Sequence, residues 1–223
     1  MILWNQFARS DCFPDCSCEF MRIDSWINQP LAFWSSLAYL LPIYFLNKNL
    51  KEKTAVTKLW NQCLVVLTIS SLFCHASFIR LSVAMDFASI GIIMGFFVVV
   101  NEVKPKNLKR SISFFFATQI VLNFGLTKWP KISLSLLVFL FAFYEILKSK
   151  GVGFLRARSL QLSLLLLSLS FLLFLIDDQK IIFCDPHGWI HGHTLWHFGT
   201  AWSAYYYARW RFIDESPSVL KAE

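Results

Sequence analysis

Residues 159–176 read SLQLSLLLLSLSFLLFLI, a stretch of eighteen residues without a charge. An α-helix needs roughly 20 mainly apolar residues to cross the hydrocarbon core of a bilayer. The stretch therefore predicts a membrane-spanning helix, and the rest of the chain repeats the pattern. Six further apolar blocks lie at residues 27–46, 59–79, 83–100, 111–127, 130–147 and 191–210. We expect an all-α fold, a bundle of seven transmembrane helices.

The composition of the chain agrees with this prediction. Of its 223 residues, 56% are hydrophobic and 16% are charged, whereas soluble domains carry roughly 25% charged residues. The apolar content also excludes a disordered chain. The seven blocks use most of the chain, so we expect one domain over residues 1–223, with an outer N-terminal segment (1–26) and an inner C-terminal tail (211–223). Any chemistry must then lie among the helices.

The positions of the basic residues predict the orientation. If the N-terminus is outside, fifteen of the 21 cations fall on the inner side, which is the bias seen in membrane proteins. The net charge of +7 is therefore interpreted as a signal of topology, N-terminus outside and C-terminus inside. Nucleic acid is not an expected partner, because no basic stripe alternates with exposed aromatic residues. The fifteen cations are Lys48, Lys51, Lys53, Lys58, Lys104, Lys106, Lys109, Arg110, Lys148, Lys150, Arg156, Arg158, Arg209, Arg211 and Lys221.

Five tryptophans fall at the ends of predicted spans. Amphipathic indole rings favour the headgroup layer, so we expect them at the membrane interface. They are Trp26, Trp60, Trp129, Trp189 and Trp210.

Histidines collect near the predicted outer ends of two spans. His75 lies near the end of the second span, and His193 and His197, four residues apart, share one face of the seventh. Three neutral imidazoles suit zinc and leave a fourth tetrahedral position for water, as in catalytic sites. Zinc would lower the pKa of that water to about 7.

Two other polar residues lie at a similar depth. Ser71 is four residues before His75, and Asp86 is about one turn into the third span. Asp86 is the candidate to orient a water or act as general base, and Ser71 the candidate to donate to a ligand or an oxyanion. The alternative is structural: interfacial histidines bonded to headgroups, Ser71 as a helix-packing residue, and Asp86 as a hydrated carboxylate.

The spacing of these residues resembles the CREST superfamily of seven-span membrane hydrolases and, within it, the alkaline ceramidase family. The shared motifs are the Ser-x-x-x-His of Ser71–His75, an Asp eleven residues later at Asp86, and the His-x-x-x-His within Gly192–His197. Three shorter motifs match as well: Cys18-Glu19, Phe33-Trp34 and Phe183-Cys184-Asp185. The Gln29-Pro30 entry to the first span and the compact length resemble bacterial members.

The resemblance implies an activity. Zinc would be bound by His75, His193 and His197, with Asp86 handling the activated water and Ser71 assisting at the metal-bound oxygen. The implied enzyme is a hydrolase of linear amide C–N bonds that cleaves ceramide or a related N-acyl lipid to a fatty acid and a free amine base. Its implied location is the bacterial inner membrane, with the site towards the periplasm.

A rival interpretation keeps the same polar residues without turnover. Receptor-like members of the superfamily share the set, so the chain could be a seven-span receptor or lipid-binding protein with a structural zinc. Ser71 and Asp86 would then only support the metal ligands.

The resemblance also bears on a second metal. The family's calcium site corresponds here to Asp15 and Glu19, whereas Met21 and Ala32 stand where the family has ligands. A Ca²⁺ site would therefore need replacement ligands from this chain. The candidates are Asp24 and Asn28.

The resemblance further implies a disulfide between Cys18 and Cys184, which would tie the N-terminal segment to the loop before the seventh span. Outer cysteines suit an oxidising compartment. For Cys12 and Cys16 the sequence leaves three alternatives: a second disulfide, two free thiols, or a zinc knuckle shared with Cys18 and a histidine.

Overall fold

The computed structural model describes residues 7–10, 17–102, 107–125, 130–149, 157–180 and 184–214. These residues form helices and, apart from an isolated bridge between Arg9 and Ile79, show no β-structure. The helices are α1 (Pro30–Ser35), a 3-10 helix (Ser36–Tyr39), α2 (Leu40–Asn49), α3 (Ala55–Ser77), α4 (Arg80–Glu102), α5 (Leu108–Gly125), α6 (Pro130–Ser149), α7 (Arg158–Asp178) and α8 (Gly192–Arg209), which ends in a π-helical turn (Trp210–Asp214).

The seven apolar blocks of the sequence coincide with these helices. The first block covers α1, the 3-10 helix and α2, and each of the others covers one helix from α3 to α8. The all-α prediction is confirmed. Within the described residues, two helices are long and apolar enough to cross a membrane: α3 and α7, with mean hydropathies of 1.4 and 2.3.

Local sequence fixes the ends of α3 and the start of α4. Thr54 caps α3, because its hydroxyl oxygen accepts a hydrogen bond of 3.2 Å from the Thr57 amide. Phe78 ends it in the left-handed conformation (φ 49°), with its amide bonded to the Cys74 carbonyl at 2.8 Å. Only Phe78 and Ile79 separate α3 from α4. The two helices therefore form a tight hairpin, which places the end of α3 beside the start of α4.

Small residues bring α7 and α8 close together. A Cβ added to Gly199 would lie 1.8 Å from Ser170 Oγ, so the approach requires glycine. Nearer the start of α7 and the end of α8, the hydroxyls of Ser163 and Ser203 each donate to the other residue's carbonyl, at 2.9 and 2.8 Å. Small residues and interhelical hydrogen bonds of this kind are typical of helix pairs in membranes.

The bundle has two unlike ends. At one, which we call the aromatic end, a buried apolar cluster gathers where α3 and α7 begin and α2, α4 and α8 finish; it includes Leu46, Trp60, Phe96, Leu160 and Tyr207. At the other, the site end, α3 and α7 finish and α1, α4 and α8 begin. Both carry buried side chains, but the site end is rich in polar ones.

The interfacial prediction for tryptophan is wrong for two residues and stays a prediction for the others. Trp26 and Trp189, at the site end, are 63% and 86% exposed. Trp60 and Trp210 are 0% and 2% exposed, because both face into the apolar cluster of the aromatic end. Trp129 lies outside the described residues.

Candidate metal centre

The three predicted ligands meet at the site end. One ring nitrogen from each of His75, His193 and His197 lies within 4.8 Å of the others. The ring centroid of His75 is 4.8 Å from that of His193 and 5.1 Å from that of His197, and the two rings of α8 are 4.9 Å apart. Side chains four apart on α8 thus meet one from the end of α3, and the group could hold a metal ion.

Hydrogen bonds fix the orientation of two of these rings. His75 Nδ1 lies 3.0 Å from Gln29 Oε1, and His197 Nδ1 lies 2.8 Å from Ser35 Oγ. The Gln29 oxygen can only accept, so His75 carries its proton on Nδ1 and keeps the Nε2 lone pair free. That Nε2 atom is buried and has no hydrogen-bond partner among the described residues. Ligating histidines are commonly held in this way, which makes the set suitable for zinc.

The segment before α1 places Gln29. The amides of Asn28 and Gln29 donate to the carbonyls of Ala76 and His75, at 3.1 and 3.0 Å, so the segment lies against the end of α3. The Gln29 side-chain amide donates to Ser17 Oγ. The chain outside the helices therefore contributes directly to the geometry at His75.

Glu19 holds the start of α1. Its carboxylate accepts hydrogen bonds from the Leu31 and Ala32 amides, at 2.7 and 3.0 Å. Burial raises the pKa of this carboxyl, while the two amides oppose the rise. A carboxylate at a helix N-terminus satisfies amides that have no partner within the helix.

The predicted catalytic pair is also brought together. The Ser71 hydroxyl hydrogen-bonds the Asp86 carboxylate, and Ser36 Oγ lies 3.0 Å from Ser71 Oγ. Asp86 is buried, and its Oδ1 has no hydrogen-bond partner within the described part of the chain. It interacts electrostatically with Tyr39, whose ring is 5.6 Å from that of His197. A buried carboxylate oxygen is therefore available beside Ser71 and within electrostatic reach of Tyr39.

A small apolar cavity of about 50 Å³ lies between the helices next to this site. Tyr39 and Trp196 line its upper part, beside His197. Farther in, its walls are mainly apolar, with Leu67, Met94 and Phe141 among them.

The disulfide suggested by the family resemblance is present between Cys18 and Cys184, with Cα atoms 5.4 Å apart. Cys63 and Cys74 are buried free thiols. Because Cys18 is disulfide-bonded, it is not available to the zinc knuckle with Cys12 and Cys16, and that alternative is wrong. Cys12 and Cys16 lie outside the described residues, so a second disulfide and two free thiols stay open for them.

The described residues do not test the predicted calcium site. Asp15 lies outside the described residues. Glu19 contributes to neither group of potential metal ligands in the described chain, and its two oxygens bind the start of α1. The two residues remain a prediction.

Sequence reasoning missed the residues that hold the ligands and Ser71 in place: Gln29, Ser35 and Ser36. A signal for two of them was present, since Ser35 and Ser36 are adjacent hydroxyls inside an apolar block. Both are buried, and both also bond the Ala32 carbonyl. Polar residues that interrupt a predicted span are worth treating as site candidates for this reason.

Comparisons of the chain with protein-family models, with curated proteins and with solved structures give no match. Function is therefore inferred from the geometry of the site and from the sequence motifs.

Proposed function

We propose that this protein is a zinc-dependent intramembrane amidohydrolase that cleaves the amide bond of ceramide or a related N-acyl lipid. The observation that carries the proposal is the convergence of three imidazoles at the end of the bundle. Two of them are held through Nδ1, and a buried carboxylate with a free oxygen lies nearby. The motif resemblance supplies the reaction class.

The proposal includes a seven-span topology with the N-terminus outside. It is supported by seven apolar blocks that coincide with helices and by the basic residues of the inner side. It is also supported by apolar side chains that cover the exterior of the bundle. A large exposed apolar surface is rare on soluble monomers, whereas lipid would cover it. Examples on α6 and α7 are Leu136, Phe139, Leu140, Phe143, Leu162, Leu165, Leu169 and Leu172.

The side chains of the site have distinct roles in this proposal. His75, His193 and His197 would hold the zinc, which when bound supplies a Lewis acid and a water of lowered pKa. Asp86 Oδ1 accepts a proton from the attacking water and returns it to the amine nitrogen that leaves. The Ser71 hydroxyl has a single proton, which orients the Asp86 carboxylate before reaction. Once Asp86 has taken up a proton, the Ser71 hydroxyl is free to turn and donate to the developing oxyanion.

The apolar lining of the cavity explains why a lipid would be the substrate. The cavity as it stands is too small for an acyl chain, so a chain that enters among Leu67, Met94 and Phe141 would have to move these side chains apart. It would then lie in apolar surroundings with its amide towards the histidines. The lipid need not leave the bilayer to react. The disulfide at the site end suits an oxidising compartment, which favours a site on the periplasmic side of a bacterial inner membrane.

Zinc content and fatty-acid release, measured together on the full chain in lipid nanodiscs, test the proposal. We expect wild type to bind one zinc per chain and to release fatty acid from at least one member of a panel of N-acyl lipids. Asp86→Asn should keep the zinc and lose turnover by a factor of about 10² to 10⁴, the usual contribution of a general base.

Cys74→Ala is the matched control, since Cys74 is a buried neighbour of His75 with a free thiol. It should leave turnover within a few-fold of wild type. A wild-type protein that binds zinc but cleaves no lipid amide would establish the receptor-like interpretation with a structural metal. A protein without zinc would contradict both.

A further inference from the structure

A second group of metal-ligand side chains lies beside the disulfide. Cys18 Sγ, a carboxylate oxygen of Asp177 and a ring nitrogen of His191 all lie within 4.8 Å of one another. All three residues are buried, with exposures of 3%, 3% and 1%. The N-terminal segment, the last turn of α7 and the start of α8 meet at this point.

His191 is already held as a metal ligand would be. Its Nε2 lies 2.9 Å from the Gly188 carbonyl oxygen, which can only accept, so the proton is on Nε2. The lone pair of Nδ1 is therefore free. Nδ1 is buried and has no hydrogen-bond partner among the described residues. A buried polar atom without a partner is uncommon and calls for an explanation. An imidazole that donates one N–H to a backbone carbonyl is the usual second-shell arrangement of a metal-binding histidine.

Asp177 and the cysteines complete the set. The Asp177 carboxylate is fixed by a 3.2 Å hydrogen bond from the Cys18 amide to its Oδ2. Cys184, bonded to Cys18, lines an open cavity with Asp177 and His191, so an ion has a path to these atoms. In the disulfide form the two sulfurs are not thiolates and do not ligate, because the thiolate is the ligating form of cysteine.

We propose that reduction of Cys18–Cys184 creates a second metal site, in which two thiolates, His191 Nδ1 and the Asp177 carboxylate bind a thiophilic divalent ion such as Zn²⁺. A dithiol supplies two electrons and two protons and is oxidised to its own disulfide, whereas a phosphine supplies two electrons and water supplies the two protons and the oxygen of the phosphine oxide. Either reaction breaks the S–S bond and gives two thiols. Binding of the ion releases those two protons to solvent. Four ligands of the S, N and O types are a normal tetrahedral zinc set.

The disulfide and the metal exclude each other, so occupancy of the site by metal depends on whether Cys18 and Cys184 are oxidised or reduced. It also connects that state to α8. His191 is the N-cap residue of α8, and its carbonyl accepts the 3.1 Å hydrogen bond from the Leu195 amide. The same helix carries His193 and His197. The inference nevertheless does not depend on the proposed hydrolase activity or on a metal at His75.

Cobalt binding, followed by absorption, tests the inference on the full chain. The background is Cys12→Ser/Cys16→Ser, which leaves the buried Cys63 and Cys74 as the other thiols. After reduction with a phosphine and its removal under argon, Co²⁺ is added. We expect a thiolate-to-cobalt charge-transfer band in the near ultraviolet and one more bound equivalent than in the oxidised protein. Cobalt at the three histidines gives no such band, so the two sites are read separately.

His191→Gln is the selective variant. Its side-chain amide can still donate to the Gly188 carbonyl, whereas the ligating nitrogen is lost. The additional equivalent should bind at least about 10-fold more weakly, because losing a ligand costs no less than losing an outer partner of a ligand, which costs about 10- to 100-fold. Thermal unfolding of the oxidised variant checks that it folds, and Asp177→Asn repeats the test if it does not. Reduced wild type without the charge-transfer band would overturn the inference. So would an unchanged extra equivalent in both variants.

Discussion

The two ends of the bundle are built on different principles. At the aromatic end, Trp60 packs edge-on against Phe96, with ring centroids 5.1 Å apart, and large apolar side chains fill the space between the helices. At the site end, buried side chains are held by hydrogen bonds, such as those of Gln29 to His75 and of Ser35 to His197. The aromatic end therefore stabilises the bundle through packing, which many apolar residues could supply. The site end depends on particular atoms in particular places.

The largest effect should come from removing a ligand at the site end. His197→Ala takes away one of three imidazoles, and we expect the zinc to be lost together with turnover, by a factor of about 10³ or more, since metal-ion catalysis is worth several kcal/mol. Helicity by circular dichroism should stay close to wild type. Elemental analysis and fatty-acid release are the measurements. Retained zinc with wild-type turnover would show that the centre lies elsewhere.

At the aromatic end we expect a substitution to lower stability and to leave zinc binding unchanged. Trp60 is fully buried, so Trp60→Ala should lower the free energy of unfolding by about 3–5 kcal/mol. The folded fraction should bind zinc with unchanged affinity. Trp189→Ala is the matched control, because that indole is 86% exposed, and its unfolding temperature in detergent should be near that of wild type. Loss of zinc from folded Trp60→Ala would contradict the claim that packing at the aromatic end and metal binding at the site end are independent.

Removing a supporting amide should have a smaller effect that is confined to the site end. Gln29→Ala leaves His75 without its Nδ1 acceptor, and we expect zinc affinity to fall by about 10- to 100-fold. Competition with a chelator measures this. Asn61→Ala removes an amide near the aromatic end, where Asn61 bonds Asn47 at 3.1 Å, and should leave the affinity unchanged. Equal effects of both variants would indicate a general loss of stability instead.

Gly199 lies between the two ends and should affect both. A methyl group there meets Ser170, so Gly199→Ala should cost about 1–3 kcal/mol through overpacking. It should also weaken zinc binding, because α8 carries two of the ligands. Adding Ser170→Ala removes the nearest atom and should recover part of the loss in thermal unfolding. A double variant no more stable than Gly199→Ala would contradict this explanation.

The smallest effect concerns the pH dependence of stability at the site end. Burial raises the pKa of Glu19 above its unfolded value. Its contribution is therefore fully present below the unfolded pKa and is lost as the pH rises through the folded pKa. Unfolding of wild type should become slightly easier across that interval. Glu19→Gln, which does not titrate, should flatten the profile, and an identical profile would exclude Glu19 as its source.

Much of the fold was predictable from the sequence, since helices follow from local pattern. Eighteen uncharged residues at 159–176 specify a long helix wherever the rest of the chain lies. The two-residue link at Phe78 and Ile79 was not predicted, because both residues fall within the apolar block 59–79. The ligands were predictable for a related reason. The i, i+4 spacing of His193 and His197 places them on one helix face.

The partners of those ligands were not predictable, because they come from distant parts of the chain. Gln29 and His75 are 46 residues apart, and Ser35 and His197 are 162 apart. The burial of Trp60 and Trp210 was also missed, since position at a predicted span end does not say which side of the helix faces lipid. Side-chain direction relative to neighbouring helices is decided only by packing.

The sequence by itself determined an all-α chain, its helical blocks, and three histidines with an aspartate and a serine at matching helix ends. Periodicity and apolar length act within one helix, so they can be recognised from adjacent residues. Only the tertiary structure decided which nitrogen of His75 is free, that Glu19 caps α1, and that His191 lies beside a disulfide and a carboxylate. Each of these depends on distances of a few ångströms between segments far apart in the chain, which packing of the whole bundle sets.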